Sequence, residues 1–179
     1  MKKLLLVLII VLAFTNIVSA QSMRFGANWG VLWPAGKLAD EQDYGFTGGV
    51  NIYFPMPAKF YSIVAGFNYN MVDSKEFITV DEYGYEDYSY SDAQQMLTFF
   101  AGTQFHFKYG LYLLPAISLN SSAEAKRIGI DVGGGIMLPI KFLNIDLDIS
   151  TKYRIANLLL QDDDGKTVFL YQFTIGLIK

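Results

Sequence analysis

The chain of 179 residues has no cysteine and a single histidine, His106. The first absence excludes disulfides, thiolate metal centres and a lipid-modified cysteine as an anchor. The second confines any imidazole chemistry to one position. Charge is sparse as well: Asp, Glu, Lys and Arg make up 17 % of the chain and the formal net charge is −3, so the basic face that nucleic acid requires is missing. Beyond residue 20 no apolar run approaches the roughly 20 residues that a membrane-spanning helix needs, although hydrophobic residues form 52 % of the sequence. Apolar content that is high yet broken up is what alternating strands produce.

The N-terminus differs from the rest. Lys2 and Lys3 precede an apolar run from Leu4 to Phe14, and Val18-Ser19-Ala20 follows. A basic start, a short apolar core and small residues define a secretory signal peptide, with cleavage expected after Ala20 and one domain over 21–179. Without Lys2 and Lys3, 12 basic residues face 17 acidic ones, a net −5.

From Met23 to Leu177, period-two alternation predicts about eight strands, at 22–33, 44–54, 60–72, 95–108, 111–120, 127–140, 143–156 and 168–178. The last sets Phe169, Tyr171, Phe173, Ile175 and Leu177 against Gln172, Thr174 and Gly176. The first sets Phe25, Ala27, Trp29, Val31 and Trp33 against Arg24, Gly26, Asn28 and Gly30. The seventh sets Leu143, Ile145, Leu147, Ile149 and Tyr153 against Asp146, Asp148, Ser150, Lys152 and Arg154. Large apolar residues on one side and Gly, amides and charges on the other read inside-out for a soluble protein. They fit lipid outside and a narrow polar interior.

Connection lengths alternate in the same sense. Those near Pro55–Lys59, Tyr109-Gly110 and Lys141-Phe142 are short, and those over 32–43, 72–94, 120–126 and 157–167 are longer. An antiparallel up-and-down transmembrane barrel has this rhythm, with short periplasmic turns and longer outer loops. Aromatic residues form a belt toward each end, Trp33, Tyr44, Tyr69, Tyr153, Phe169 and Tyr171 at one and Phe54, Tyr61, Phe105 and Phe107 at the other. Of the 17 acidic residues, 14 fall in the four long connections, while Lys59, Lys108, Lys141 and Lys179 mark the opposite end. The outer face is therefore expected to be acidic.

Eight strands enclose only enough room for side chains, so an open pore is not expected. The inward charges Arg24, His106, Asp131, Asp146, Asp148, Lys152 and Arg154 are read as a lumen network, since a buried charge must be paired. A two-residue turn at Lys141-Phe142 would set Asp131 opposite Lys152 and Arg154 opposite Gly129, with Arg24, His106, Asp146 and Asp148 toward the short-turn end.

Two outer segments carry motifs. Asp162-Asp163-Asp164-Gly165 lacks the alternation and the distal Glu of a calcium loop, and Asp164-Gly165 reads as a hairpin turn. Phe77–Tyr90 reads as a hairpin that extends strands three and four beyond the membrane, and its Tyr83, Tyr85, Tyr88 and Tyr90, set among acids, are candidate surface-binding residues. No catalytic, cofactor or metal site is expected.

The signal peptide, the alternating strands and the loop rhythm together resemble the small outer-membrane β-barrel proteins, nearest the OmpX/OmpA-type barrel domain and the PorT-like barrel proteins common in Bacteroidetes. The resemblance covers residues 21–179 and is one of pattern. It implies an outer-membrane protein of a Gram-negative envelope, monomeric, in contact with outer-membrane lipid and with an envelope or extracellular protein partner, in a structural, adhesive or secretion-linked role. Two alternatives remain at this stage: a lipid A-modifying enzyme working through His106, and a soluble periplasmic barrel of lipocalin type with its apolar face inward.

Overall fold

The computed structural model describes residues 23–36, 38–58, 60–80, 86–90, 93–122, 126–156 and 168–179. The signal peptide and the Asp162–Gly165 turn lie outside the described residues, as do Tyr83 and Tyr85. Ten strands are present among the described residues: β1 Arg24–Ala35, β2 Gln42–Pro55, β3 Tyr61–Ser74, β4 Glu76–Val80, β5 Glu86–Tyr90, β6 Gln94–His106, β7 Leu111–Ser122, β8 Lys126–Ile140, β9 Ile145–Ala156 and β10 Val168–Ile178. A short helical turn, α1, spans Leu38–Glu41, and a 3-10 turn spans Lys108–Gly110. No helix among the described residues is long and apolar enough to cross a membrane.

Eight of the strands close into a barrel in the order β1-β10-β9-β8-β7-β6-β3-β2, every neighbour antiparallel. Closure leaves the barrel no free edge. β4 and β5 pair only with each other. The segment 76–90 is thus a hairpin, as its sequence predicts, but it forms a separate two-stranded sheet and does not lengthen β3 and β6.

The alternation decides which way each side chain points. Along β7 and β10 burial switches at every step, with Tyr112, Leu114, Ala116, Ser118 and Asn120 inward on one and Leu170, Gln172 and Thr174 inward on the other. Outward residues are large and apolar: Ile117 is 67 % exposed, Phe46 58 % and Trp29 53 %, while the inward Arg154 is 2 % exposed and Asp131 0 %. That distribution runs opposite to a lipocalin-type barrel, which turns its apolar face inward.

The β8–β9 connection corrects one sequence expectation. It is a four-residue turn, Lys141–Asn144, closed by Leu143 N–H donating to Ile140 O at 3.1 Å and Asn144 N–H donating to Lys141 O at 3.3 Å. Asn144 takes φ = 53°, a left-handed conformation that Asn tolerates better than most residues. Two extra turn residues move the register by two, so Asp131 stands opposite Arg154, and Lys152 opposite Gly133. A slip of two keeps each side chain on its own face, which explains why the facing expected from sequence holds although the partners change.

Candidate functional site

The barrel interior is filled in layers. Nearest the long-loop end, Leu32, Val72, Ala156, Val168 and Leu170 form an apolar cluster with Met96 packed against it. Beneath them lies a polar belt. Arg154 Nε and Nη2 donate to the two carboxylate oxygens of Asp131 at 2.9 and 2.8 Å, and Arg154 Nη1 donates to Thr98 Oγ1 at 2.9 Å. Ser118 donates to Asp131 at 2.9 Å, and Asn120 donates to Ser118 at 3.2 Å. The chain continues through Thr98 to Asn120, Asn70 to Thr98, Thr47 to Asn70 and Gln172 to Thr47, at 2.8–3.2 Å. Every barrel strand except β1 contributes a side chain to it. A fork-shaped guanidinium matched to a carboxylate is the geometry in which a buried ion pair offsets its desolvation.

Lys152 sits one step below, with Nζ 4.0 Å from Asp131 Oδ2 and 3.9 Å from the centroid of the Phe100 ring. One carboxylate therefore serves two cations, and the ring face supplies the remaining attraction for the ammonium. The next layer is apolar and aromatic: Tyr53, Val64, Phe100, Tyr112, Leu114, Ala116 and Ile178. Tyr112 donates to Asp148 Oδ1 at 2.7 Å. At the short-turn mouth Arg24 pairs with Asp146, and Ser62 Oγ lies 2.9 Å from His106 Nε2.

The seven inward charged residues named from the sequence thus divide into three groups: Asp131, Lys152 and Arg154 together, Asp148 on Tyr112, and Arg24, Asp146 and His106 at the rim. The sequence led to an interior that is polar throughout; instead, two apolar layers bracket the polar belt. Sequence reasoning passed over Phe100, Tyr112, Val64 and Leu32 because their inward position becomes meaningful only once the register pairs bulky residues with glycines. Tyr112 faces Gly135, Ala116 faces Gly102, Ser118 faces Gly129 and Asn28 faces Gly176. A Cβ at Gly135 would lie 2.7 Å from the Tyr112 hydroxyl. Each inward glycine is the room its neighbour occupies.

Inside the barrel lie a cavity of about 20 Å³, lined by Asn51, Asn68, Gln104, Asp148 and Lys152 among others, and one of about 30 Å³ toward the long loops, lined by Val72, Met96, Asn120 and Leu170 among others. Each is room for about one or two water molecules, too small for a substrate. No carboxylate is bonded to His106 among the described residues, and no cluster of metal-binding side chains occurs among them. The Ser62–His106 pair also stands at the short-turn mouth, away from the long loops.

On the outer wall, aromatic residues mark the long-loop end. Tyr153 stacks on Phe169 at 6.1 Å and 11°, and its ring centroid is 4.6 Å from that of Tyr171. Trp33, paired in register with Tyr171, is exposed, as are Tyr44 and Tyr69. Of the candidate surface-binding tyrosines, Tyr88 and Tyr90 fall in β5, paired in register with Ile78 and Glu76.

No protein-family model matches the chain, and no curated protein matches it in sequence. Among solved structures it is similar to the crystal structure of Neisserial surface protein A (NspA), at 15 % identity and a TM-score of 0.55, over 87 % of this chain and 95 % of that one. The Yersinia pestis outer membrane protein Ail aligns at 11 % identity and a TM-score of 0.48, over 88 % and 100 % of the two chains, and carries no further weight. The fold is that of the small eight-stranded outer-membrane barrels.

Proposed function

We propose that the protein is an integral outer-membrane barrel with a closed interior, and that it acts as an envelope surface protein through its long-loop end. One observation carries this reading: exposed Trp29, Phe46, Phe99, Ile117, Val132 and Phe173 on the outer wall enclose a buried Asp131–Arg154 pair. A wall of that polarity is stable in lipid and aggregates in water. The acidic residues concentrate at the long-loop end, where Asp40, Asp43 and Asp73 stand beside the segment that carries β4 and β5. An acidic rim with tyrosines selects a basic protein partner, by steering and by contact area.

The role is binding, not turnover. His106→Ala is expected to leave the lipid A composition of the host membrane unchanged, by mass spectrometry; a His106-dependent change would reinstate the enzyme. Membrane insertion is tested by flotation. The folded protein is expected to rise with phospholipid vesicles and to need detergent for extraction, and recovery in a detergent-free soluble fraction would overturn the reading.

A further inference from the structure

The Lys152 ammonium is buried without a hydrogen bond among the described residues. It carries three N–H donors, yet its partners are Asp131 Oδ2 at 4.0 Å and the Phe100 ring at 3.9 Å. Arg154 takes both oxygens of Asp131 and Ser118 donates to one of them, which leaves Lys152 the weaker share of that carboxylate. Register sets the space around it. Lys152 has Gly133, which lacks a side chain, as its neighbour on β8 and Gln172 on β10, and all three residues line the cavity of about 20 Å³.

The same cavity gathers unmet amides. Buried side-chain oxygens of Asn28, Asn51, Asn68, Gln104 and Gln172 have no donor among the described residues, and all five residues line it. Gln172 is fixed, because its nitrogen donates to Thr47 at 3.2 Å and turning the amide over would break that bond. Asn28, Asn68 and Gln104 form no side-chain hydrogen bond among the described residues, so each brings both a donor and an acceptor. That mixture selects the occupant. A metal cation answers only the oxygens and adds charge beside Lys152, and an anion answers only the N–H groups. Water donates and accepts, carries no charge, and fits a space that holds about one or two molecules.

We infer that this cavity is a buried water site, in which ordered water accepts a hydrogen bond from the Lys152 ammonium and bridges it to the amides of Gln172, Gln104 and Asn28. The site gives the lysine the acceptor that Asp131 does not supply. It also ties β9 across the lumen to β1, β6 and β10, which backbone pairing joins only to their immediate neighbours. It is a property of the closed barrel and does not rest on the surface role proposed above.

The test uses isotope-labelled protein folded in detergent micelles, and reads cross-relaxation between water and side-chain N–H groups in a nitrogen-edited rotating-frame Overhauser spectrum. The wild type is expected to show water contacts at the Gln104 and Asn28 amides. Val64 and Gly133 also line the cavity, so Val64→Ile and Gly133→Ala each add a methyl group to it. Both variants are expected to lose those contacts while heat-modifiable gel mobility stays that of the folded barrel. Should one of them fail to fold, the other decides. A wild type without water contacts at these amides, or contacts undiminished in a folded variant, would refute the site. A saturable shift of the same resonances on adding sodium or chloride would place an ion there and refute it as well.

Discussion

Asn51 on β2 stands opposite Gly66 on β3, and its amide oxygen occupies the space that a side chain at 66 would need: a Cβ there would lie 2.4 Å from Asn51 Oδ1 and 2.5 Å from the Phe100 ring. Two residues away the relation is mirrored, with Asn68 Oδ1 2.0 Å from where a Cβ on Gly49 would be. Neither amide oxygen has a hydrogen-bond donor in the structure. Each rests against a glycine backbone, where a weak Cα–H contact is available to it.

Gly66→Ala should therefore cost about 1–3 kcal/mol, the usual penalty for overpacking a filled interior. Gly48→Ala is the control. Its added Cβ points outward and meets nothing nearer than Asn28 O at 3.7 Å, so stability should barely change. Urea unfolding in vesicles, followed by heat-modifiable gel mobility, separates the two. Equal losses would mean that the lumen does not set the glycine positions.

The polar belt predicts an asymmetry. Asp131→Asn leaves both Arg154 and Lys152 buried without their carboxylate and should cost about 3–5 kcal/mol. Arg154→Met leaves Asp131 with Lys152 and the Ser118 hydroxyl, so the loss should be smaller. Unfolding midpoints of the two variants in the same vesicles decide the order; a greater loss for Arg154→Met would show that Lys152 does not share the carboxylate.

Because two apolar layers and the belt fill the described interior, the protein in a planar bilayer should show no steady open-channel conductance. A stable conductance step from pure, folded protein would require an interior unlike the one described.

The β4–β5 sheet shares no strand pairing with the barrel. Deletion of residues 76–90 should leave the protein folded and membrane-inserted, with unchanged gel mobility and flotation, while binding of a basic partner protein at the surface is reduced. Failure to insert would show that the hairpin supports the wall.

Period-two alternation was enough to place eight strands within about two residues, because burial on one face and exposure on the other constrain each side chain in a barrel one layer thick. Arg24, His106, Asp131, Asp146, Asp148, Lys152 and Arg154 were legible as inward residues for the same reason. Their partners were not. The Asp131–Arg154 match depends on the length of the Lys141–Asn144 turn, where Asn144 can adopt a left-handed conformation that nothing in the flanking strands announces. The apolar layers were equally hidden. Phe100 and Tyr112 look out of place beside inward glycines until the register shows that the glycines belong to their neighbours.

The most direct test of the central claim is protease treatment of intact cells, with mass spectrometry of the released and protected peptides. Cuts confined to the long connections, with β1 to β3 and β6 to β10 protected until the membrane is broken, are the predicted result. Cuts in the Lys141–Asn144 turn of intact cells would invert the barrel, and full protection followed by rapid digestion in a soluble extract would take it out of the membrane.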